Sequence, residues 1–300
     1  MIRWPIELID DIAKRNSVLY LGSGISAASK NDSGKSPATW RKFLEDILDA
    51  RQEKLKTCHD TIKQLLDKGN YLTACEIIVR HLGERDFGEL AADEFRRPGY
   101  RPNELHKIIF SLDSRLVITP NIDKIYDQYA TTQSNGTVII KTYRDDIARY
   151  LRAPDYLIIK AHGTIDDTDH IVFTHGQYSR VRNDHAAFYR MLDALLLTHT
   201  FIFLGCGISD PDIQLVLENL NFSFPGCRPH YMVIPANNLS EDELNCIANN
   251  RNLEFLTYEN PDGSHSQLLE SLIDLDLFHI MHRTSIYIIV MFNLLDIISR

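Results

Sequence analysis

The sequence predicts an α/β protein built on a doubly wound, mostly parallel sheet. Seven short apolar, β-branched runs are bounded by glycine, proline or polar residues, and helical patterns lie between them. Strands covered by helices on both faces read as continuous hydrophobic runs, which is the pattern here. The 300 residues are 44% hydrophobic and 24% charged, an ordinary globular composition with enough chain to bury a core.

The strands are expected at residues 18–21, 116–119, 138–141, 156–161, 201–205, 231–234 and 254–256. Helical periodicity marks 39–51, 61–66, 72–82 and 103–112 before the second strand, and 188–197, 211–219, 240–250 and 263–278 later. A parallel crossover needs only about a dozen residues. The long interval between the first two strands is therefore expected to hold a helical insertion, about 41–112, within a sheet domain of residues 1–283. Asp32–Pro37 (DSGKSP) is its most loop-like part and is expected to act as a lid.

Composition excludes several classes of function. Net charge is 32 − 41 = −9, which disfavours direct nucleic-acid binding through phosphates. The five cysteines lack the paired spacing of a zinc ribbon or a disulfide framework, so a reduced, cytoplasmic protein without a metal is expected. No secretory signal opens the chain, because Asp10, Asp11, Lys14 and Arg15 interrupt its start. At the other end, IYIIVMFNLL (286–295) is too short to span a bilayer. Residues 284–300 are expected to form a hydrophobic helix that either docks on its own core or joins subunits or a partner.

Four segments at expected strand ends carry chemistry. Gly22-Ser23-Gly24-Ile25-Ser26 follows the first strand, where glycines let main-chain amides approach a phosphate. A lone GxG serves a tight βα turn equally well. Thr119-Pro120-Asn121-Ile122-Asp123 follows the second strand; its Asn and Asp could bind a ligand amide or hold a water, and could equally cap the next helix. His162-Gly163 ends YLIIKAHG. An imidazole there can take a proton near neutral pH, although one isolated histidine reads as a satisfied core residue. FIFLGCGISDPD runs a strand into Gly205, Gly207 and Ser209, with a helix cap as the competing reading. The strand ends of an open parallel sheet share one edge, so all four segments are expected at one crevice.

In this order, GSGIS, TPNID, HG and GCGISDPD resemble the motif series of the sirtuin superfamily, over residues 17 to about 235. NELHKIIFSL (103–112) and PATWRKFL (37–44) resemble it too. The resemblance implies a Rossmann-like sheet. Deacetylase members carry a four-cysteine zinc module, but no cysteine occurs here between Asp123 and Gly205. The PxxW and GxSDPD forms instead resemble the bacterial sirtuin-like effectors of antiviral defence, which cleave NAD+ rather than deacylate proteins. NAD+ is then the substrate, and no metal is implied.

By that resemblance Asn121 would bind the attacking water or the nicotinamide ribose, Asp123 the carboxamide, and His162 would be the base or sugar-hydroxyl partner. Gly22, Ser23, Gly24 and Ser26 would cradle the pyrophosphate, with Thr119 beside them. Gly205, Gly207 and Ser209 would contact the adenosine half. The resemblance further implies assembly, as a homo-oligomer or with a second chain such as a HerA-type ATPase. A protein deacylase and a non-catalytic NAD- or ADP-ribose-binding module are the alternatives. His162, His170, His175 and His185 lack a completing ligand set and read as surface or loop histidines. Arg180, Arg182 and Arg190 read as a solvated face.

Overall fold

The computed structural model describes residues 1–207, 211–236 and 240–298. One sheet holds β1 (Ser17–Leu21), β2 (Leu116–Thr119), β3 (Ile139–Thr142), β4 (Leu157–Lys160), β5 (Thr200–Leu204), β6 (His230–Pro235) and β7 (Leu253–Tyr258). Their order is β3-β4-β2-β1-β5-β6-β7. Parallel registers pair Ile139 with Leu157, Ile202 with Tyr231 and His230 with Leu253. All seven lie within two residues of their expected places. Every residue of β1, β2, β4 and β5 is buried, which is why their sequences read as unbroken apolar runs. β3 stands at an edge, and its residues are only partly covered.

The chain divides into two compact units. The first comprises Met1–Tyr20, Glu104–Val117 and Asp193–Arg300. In it a helix that the sequence reading overlooked, Ile6–Ala13, buries Leu8, Ile9 and Ile12. It packs on the last helix, which runs without a break from Ser266 to Ile298. No glycine or proline interrupts those residues, so the expected stop after 278 does not occur. Asp113 receives Arg15 at 2.6 Å and also Arg283, while His282 meets Asp10 at 3.0 Å. These contacts pin the last helix as far as Arg283.

The second unit comprises Leu21–Asn103 and Ile118–Leu192. Helices Trp40–Ala50, Gln52–Leu55, His59–Asp67, Tyr71–Leu82 and Glu84–Phe95 follow β1. They bury Phe43, Leu44, Ile62, Ile78 and Phe87 in one core with Ile122, Ile165 and Ile171. Phe43 anchors it, with ring contacts to Phe87 at 5.7 Å and Phe95 at 5.0 Å. Ile122 and Ile165 lie in the segments after β2 and β4, so the helical core fixes the two turns that carry candidate site residues.

Asp32–Pro37 is tied down at both ends. Asn31 Oδ1 accepts from the Ser33 and Lys35 amides, and Glu94 accepts from the Ala38 amide at 2.9 Å and from the Lys35 ammonium. Helix His175–Asp184 was also missed by periodicity, because it buries only Tyr178 and Val181. Its Thr174–Gln177 capping box is, however, written in the sequence.

Candidate active site

β1 ends at Leu21, and the chain turns at once into a short helix, Ser23–Ala27, with Gly22 at its N-cap. The expected glycine loop is thus a helical turn. Gly22 has φ −85°, an ordinary value, and its carbonyl takes the Ile25 amide at 3.2 Å. Ser23 and Gly24 are exposed; Gly22 and Ser26 are buried.

The turn after β2 is bound to this element by three hydrogen bonds. Thr119 Oγ1 donates to the Leu21 carbonyl at 2.6 Å and accepts the Asn121 amide at 3.1 Å. The Asn121 side-chain amide donates to the Gly22 carbonyl at 2.9 Å and to Ser26 Oγ at 3.1 Å. Both amide hydrogens of Asn121 are therefore used within the protein, and its side-chain oxygen is left as an acceptor. Asp123 is buried, and its Oδ1 accepts the Ile125 amide at 3.0 Å. The cap-like role weighed for Asp123 is real, while Asn121 caps nothing and joins two turns instead.

The segment after β4 is laced to the same turn. The Ala161 amide donates to the Thr119 carbonyl at 2.8 Å, and the Ile165 amide to the Ile122 carbonyl at 2.9 Å. His162 lies between these straps, buried, with its carbonyl accepting from the Val172 amide. Its ring meets Tyr178 edge-on at 5.0 Å, with Nδ1 and the tyrosine hydroxyl 3.4 Å apart. Gly163 has φ +83°, and a Cβ there would stand 2.5 Å from the His170 carbonyl oxygen. Only glycine allows the chain to turn so closely behind His162.

A small cavity of about 10 Å³, the size of one water site, is lined by Ser26, Thr119, Asn121 and Asp123 together with Tyr126, Asp127 and Lys160. Lys160 and Asp127 form a fully buried ion pair at 3.0 Å. Burial pushes the Asp127 carboxyl up from its ordinary range, and the Lys160 ammonium opposes that rise. Neither residue was singled out from sequence. The available signal was a lysine inside an otherwise apolar strand, since lysine is almost never fully buried unless paired.

The remaining expected residues follow β5, in the other unit. Gly205 adopts φ +65°, and Cys206 is half-buried with its Sγ 3.5 Å from the Tyr20 carbonyl. Gly207 is exposed with open space where a Cβ would stand, and Ser209 lies outside the described residues. The second unit thus gathers Gly22, Ser26, Thr119, Asn121 and Asp123, with His162 held on the adjoining segment. Among the described residues, no group of three or more His, Cys, Asp or Glu side chains could hold a metal. No described helix is long and apolar enough to cross a membrane.

Polar turns at the carboxyl ends of neighbouring strands mark a doubly wound, Rossmann-like α/β protein. Within that class, residues 115–256 match the model of the SIR2-like domain. It is 26% identical over 230 residues to the NAD(+) hydrolase ThsA of Enterococcus faecium, covering 74% of this chain and 44% of the relative. It is 23% identical to that of Bacillus cereus (strain MSX-D12), covering 78% and 46%. Defense-associated sirtuin 2 of Bacillus subtilis is 24% identical, covering 71% and 20%. The chain thus spans less than half the length of these relatives.

Proposed function

We propose that this chain is an NAD+ glycohydrolase, cleaving NAD+ to nicotinamide and ADP-ribose and so depleting NAD+ in antiphage defence. The observation that carries the reading is Asn121, whose amide is spent on Gly22 and Ser26, so that its side-chain oxygen is an acceptor for a water or a ribose hydroxyl. Names borne by the relatives, NAD(+) hydrolase and defence-associated sirtuin, support the same reaction and setting.

The reaction breaks the bond between the anomeric carbon and the nicotinamide nitrogen. Nicotinamide leaves with the bonding pair, and its ring charge is neutralised. An oxocarbenium-like centre develops at the carbon, and a water oxygen attacks it and loses a proton. Catalysis of this kind depends on orientation and on dipoles aimed at the developing cation. Asn121 Oδ1 holds the water or the ribose, Asp123 takes the carboxamide with the carboxylate oxygen not bound to Ile125, and His162 accepts the proton or binds a sugar hydroxyl. Gly22, Ser23, Gly24, Ser26 and Thr119 receive the pyrophosphate, and Gly205, Gly207 and Ser209 the adenosine half. No metal takes part.

Residues 1–283 form the catalytic domain, with the insertion at about 41–112, and the protein acts in the cytoplasm. Residues 284–300 serve assembly, as a homo-oligomer or with a second chain such as a HerA-type ATPase. Ile273, Leu277, Phe278, Ile280 and Met281 stand exposed just before them on the same helix, which favours an apolar contact.

The test is to incubate the purified chain with NAD+, alone and with the product of its genomic neighbour, and to follow nicotinamide and ADP-ribose. Release of both, abolished in Asn121→Ala and His162→Ala, is the expected result. NAD+ consumption only in the presence of an acyl-lysine peptide would assign a deacylase instead, and binding without turnover under every condition would assign a regulatory module.

A further inference from the structure

Asp127, on the helix Ile125–Gln133, and Lys160, the last residue of β4, pair at 3.0 Å with side chains 3% and 1% exposed. An ion pair so deeply buried is rarely retained for stability, because an apolar pair of similar volume does as well or better. This one carries an extra cost: Asp127 Oδ1 has no hydrogen-bond partner among the described residues. The pair nonetheless lines the same small cavity as Ser26, Thr119, Asn121 and Asp123.

Lys160 spends a second donor on the main-chain oxygen of Asp123. Lys160 thereby adds an anchor at the end of the turn after β2, beyond those at its start and middle. Thr119 holds its start through the Leu21 carbonyl, the Ile165 amide holds Ile122, and Lys160 holds its end. Only a long cationic side chain can reach that carbonyl from β4 and still donate to Asp127. A lone ammonium beside a site that develops positive charge would oppose the reaction; Asp127 cancels it, so the donor comes without net charge.

We propose that Lys160 and Asp127 are a positioning pair, clamping the turn 119–123 at the Asp123 carbonyl so that the Asn121 side-chain oxygen and the Asp123 carboxylate keep their catalytic direction. This rests on the reading of that turn as part of an NAD+ glycohydrolase site.

The test replaces the pair with apolar residues of similar volume, Lys160→Met with Asp127→Leu, and reads hydrolysis and amide hydrogen exchange in the full chain. The double variant is expected to melt within about 5 °C of the parent. Its kcat should fall by about tenfold or more, its KM for NAD+ should stay within about threefold, and exchange across 119–125 should quicken by about tenfold. A stable double variant with parental kcat and exchange overturns the proposal. If the double variant does not fold, Lys160→Gln with Asp127→Asn decides, since this neutral amide pair keeps the shape while the shorter Gln side chain gives up the Asp123 carbonyl. A lowered kcat at unchanged KM then supports the clamp, and parental kcat overturns it. If the parent chain hydrolyses no NAD+, the glycohydrolase reading fails by itself, and exchange at 119–125 still decides: quickened exchange supports the clamp, unchanged exchange overturns it.

Discussion

The side-chain amide of Asn121 donates to the main-chain carbonyl of Gly22 at 2.9 Å, joining the turn after β2 to the turn after β1. Its second hydrogen goes to Ser26 Oγ. One residue therefore fixes two segments far apart in sequence and is left presenting an oxygen. Asn121→Ala is expected to cost about 1 kcal/mol of stability for the lost hydrogen bonds. Hydrolysis of NAD+ should fall by about 10² or more, because the acceptor and the loop junction go together. Asn121→Asp is a sharper variant: it keeps an acceptor but sets a carboxylate against the Gly22 carbonyl. It should lose both activity and melting temperature, as read by nicotinamide release and thermal unfolding.

His162 is held by Tyr178 through an edge-on ring contact and a 3.4 Å approach of hydroxyl to Nδ1. Tyr178→Phe keeps the ring and removes the hydroxyl. It is expected to retain the fold and to lower kcat by less than about tenfold, whereas His162→Ala should lower it by about 10² or more. Equal losses in the two variants, measured side by side, would show that the hydroxyl takes part in the chemistry directly.

Gly163→Ala tests the turn behind that histidine. The backbone there has φ +83°, and the added Cβ would lie 2.5 Å from the His170 carbonyl oxygen. The substitution is expected to cost about 2 kcal/mol or more. For a chain of this size that is a fall of about 5 °C in melting temperature. Gly207→Ala, where no atom of the described residues stands within 4 Å, should leave the melting temperature unchanged.

Stability should decline in mild acid. His230 is buried, accepts the Phe201 amide through Nδ1, and is pushed by burial down to about 4. Burial also lowers His199 and His279. The unfolded chain binds protons on these rings near pH 6.5 that the folded chain refuses until lower pH. The contribution of His230 is therefore complete above about pH 6.5 and is lost as pH falls through about 4, a span of about 3 kcal/mol. Urea unfolding at pH 7 and pH 5 should show the drop, and His230→Phe should reduce it.

Removing residues 284–300 leaves Arg283 and His282 in place on Asp113 and Asp10. The truncated chain is expected to stay folded and to change its oligomeric state or lose its partner. Light scattering of the two proteins at equal concentration measures this, and an unchanged mass with unchanged partner binding would rule the segment out as an assembly element.

Much of the fold was legible from local pattern. A strand buried on both faces is built mostly of apolar residues, so β1, β2, β4 and β5 can be placed from their own letters. The seven strand positions, the helical interval after β1 and the placing of Asn121, Asp123 and His162 just beyond strand ends all follow from short segments read in order. Weakly patterned helices did not: Ile6–Ala13 was read as a charged chain start, and His175–Asp184 buries only two side chains. The glycine turn at Gly22 to Ser26 shows no helical pattern in sequence because a five-residue helix is too short to show a period.

By itself the sequence determined the layered α/β class and which residue types stand at the strand ends, since both follow from the burial of contiguous residues. Only the tertiary structure decided what those residues do to one another. It decided that Asn121 spends its amide on Gly22 and Ser26, and that Glu94 ties down the loop-like segment 32–37. It also decided that Lys160, a charge in an apolar strand, finds Asp127 and the Asp123 carbonyl. Such pairings join residues far apart along the chain, and the low-dielectric interior makes their geometry decisive where no local pattern records it.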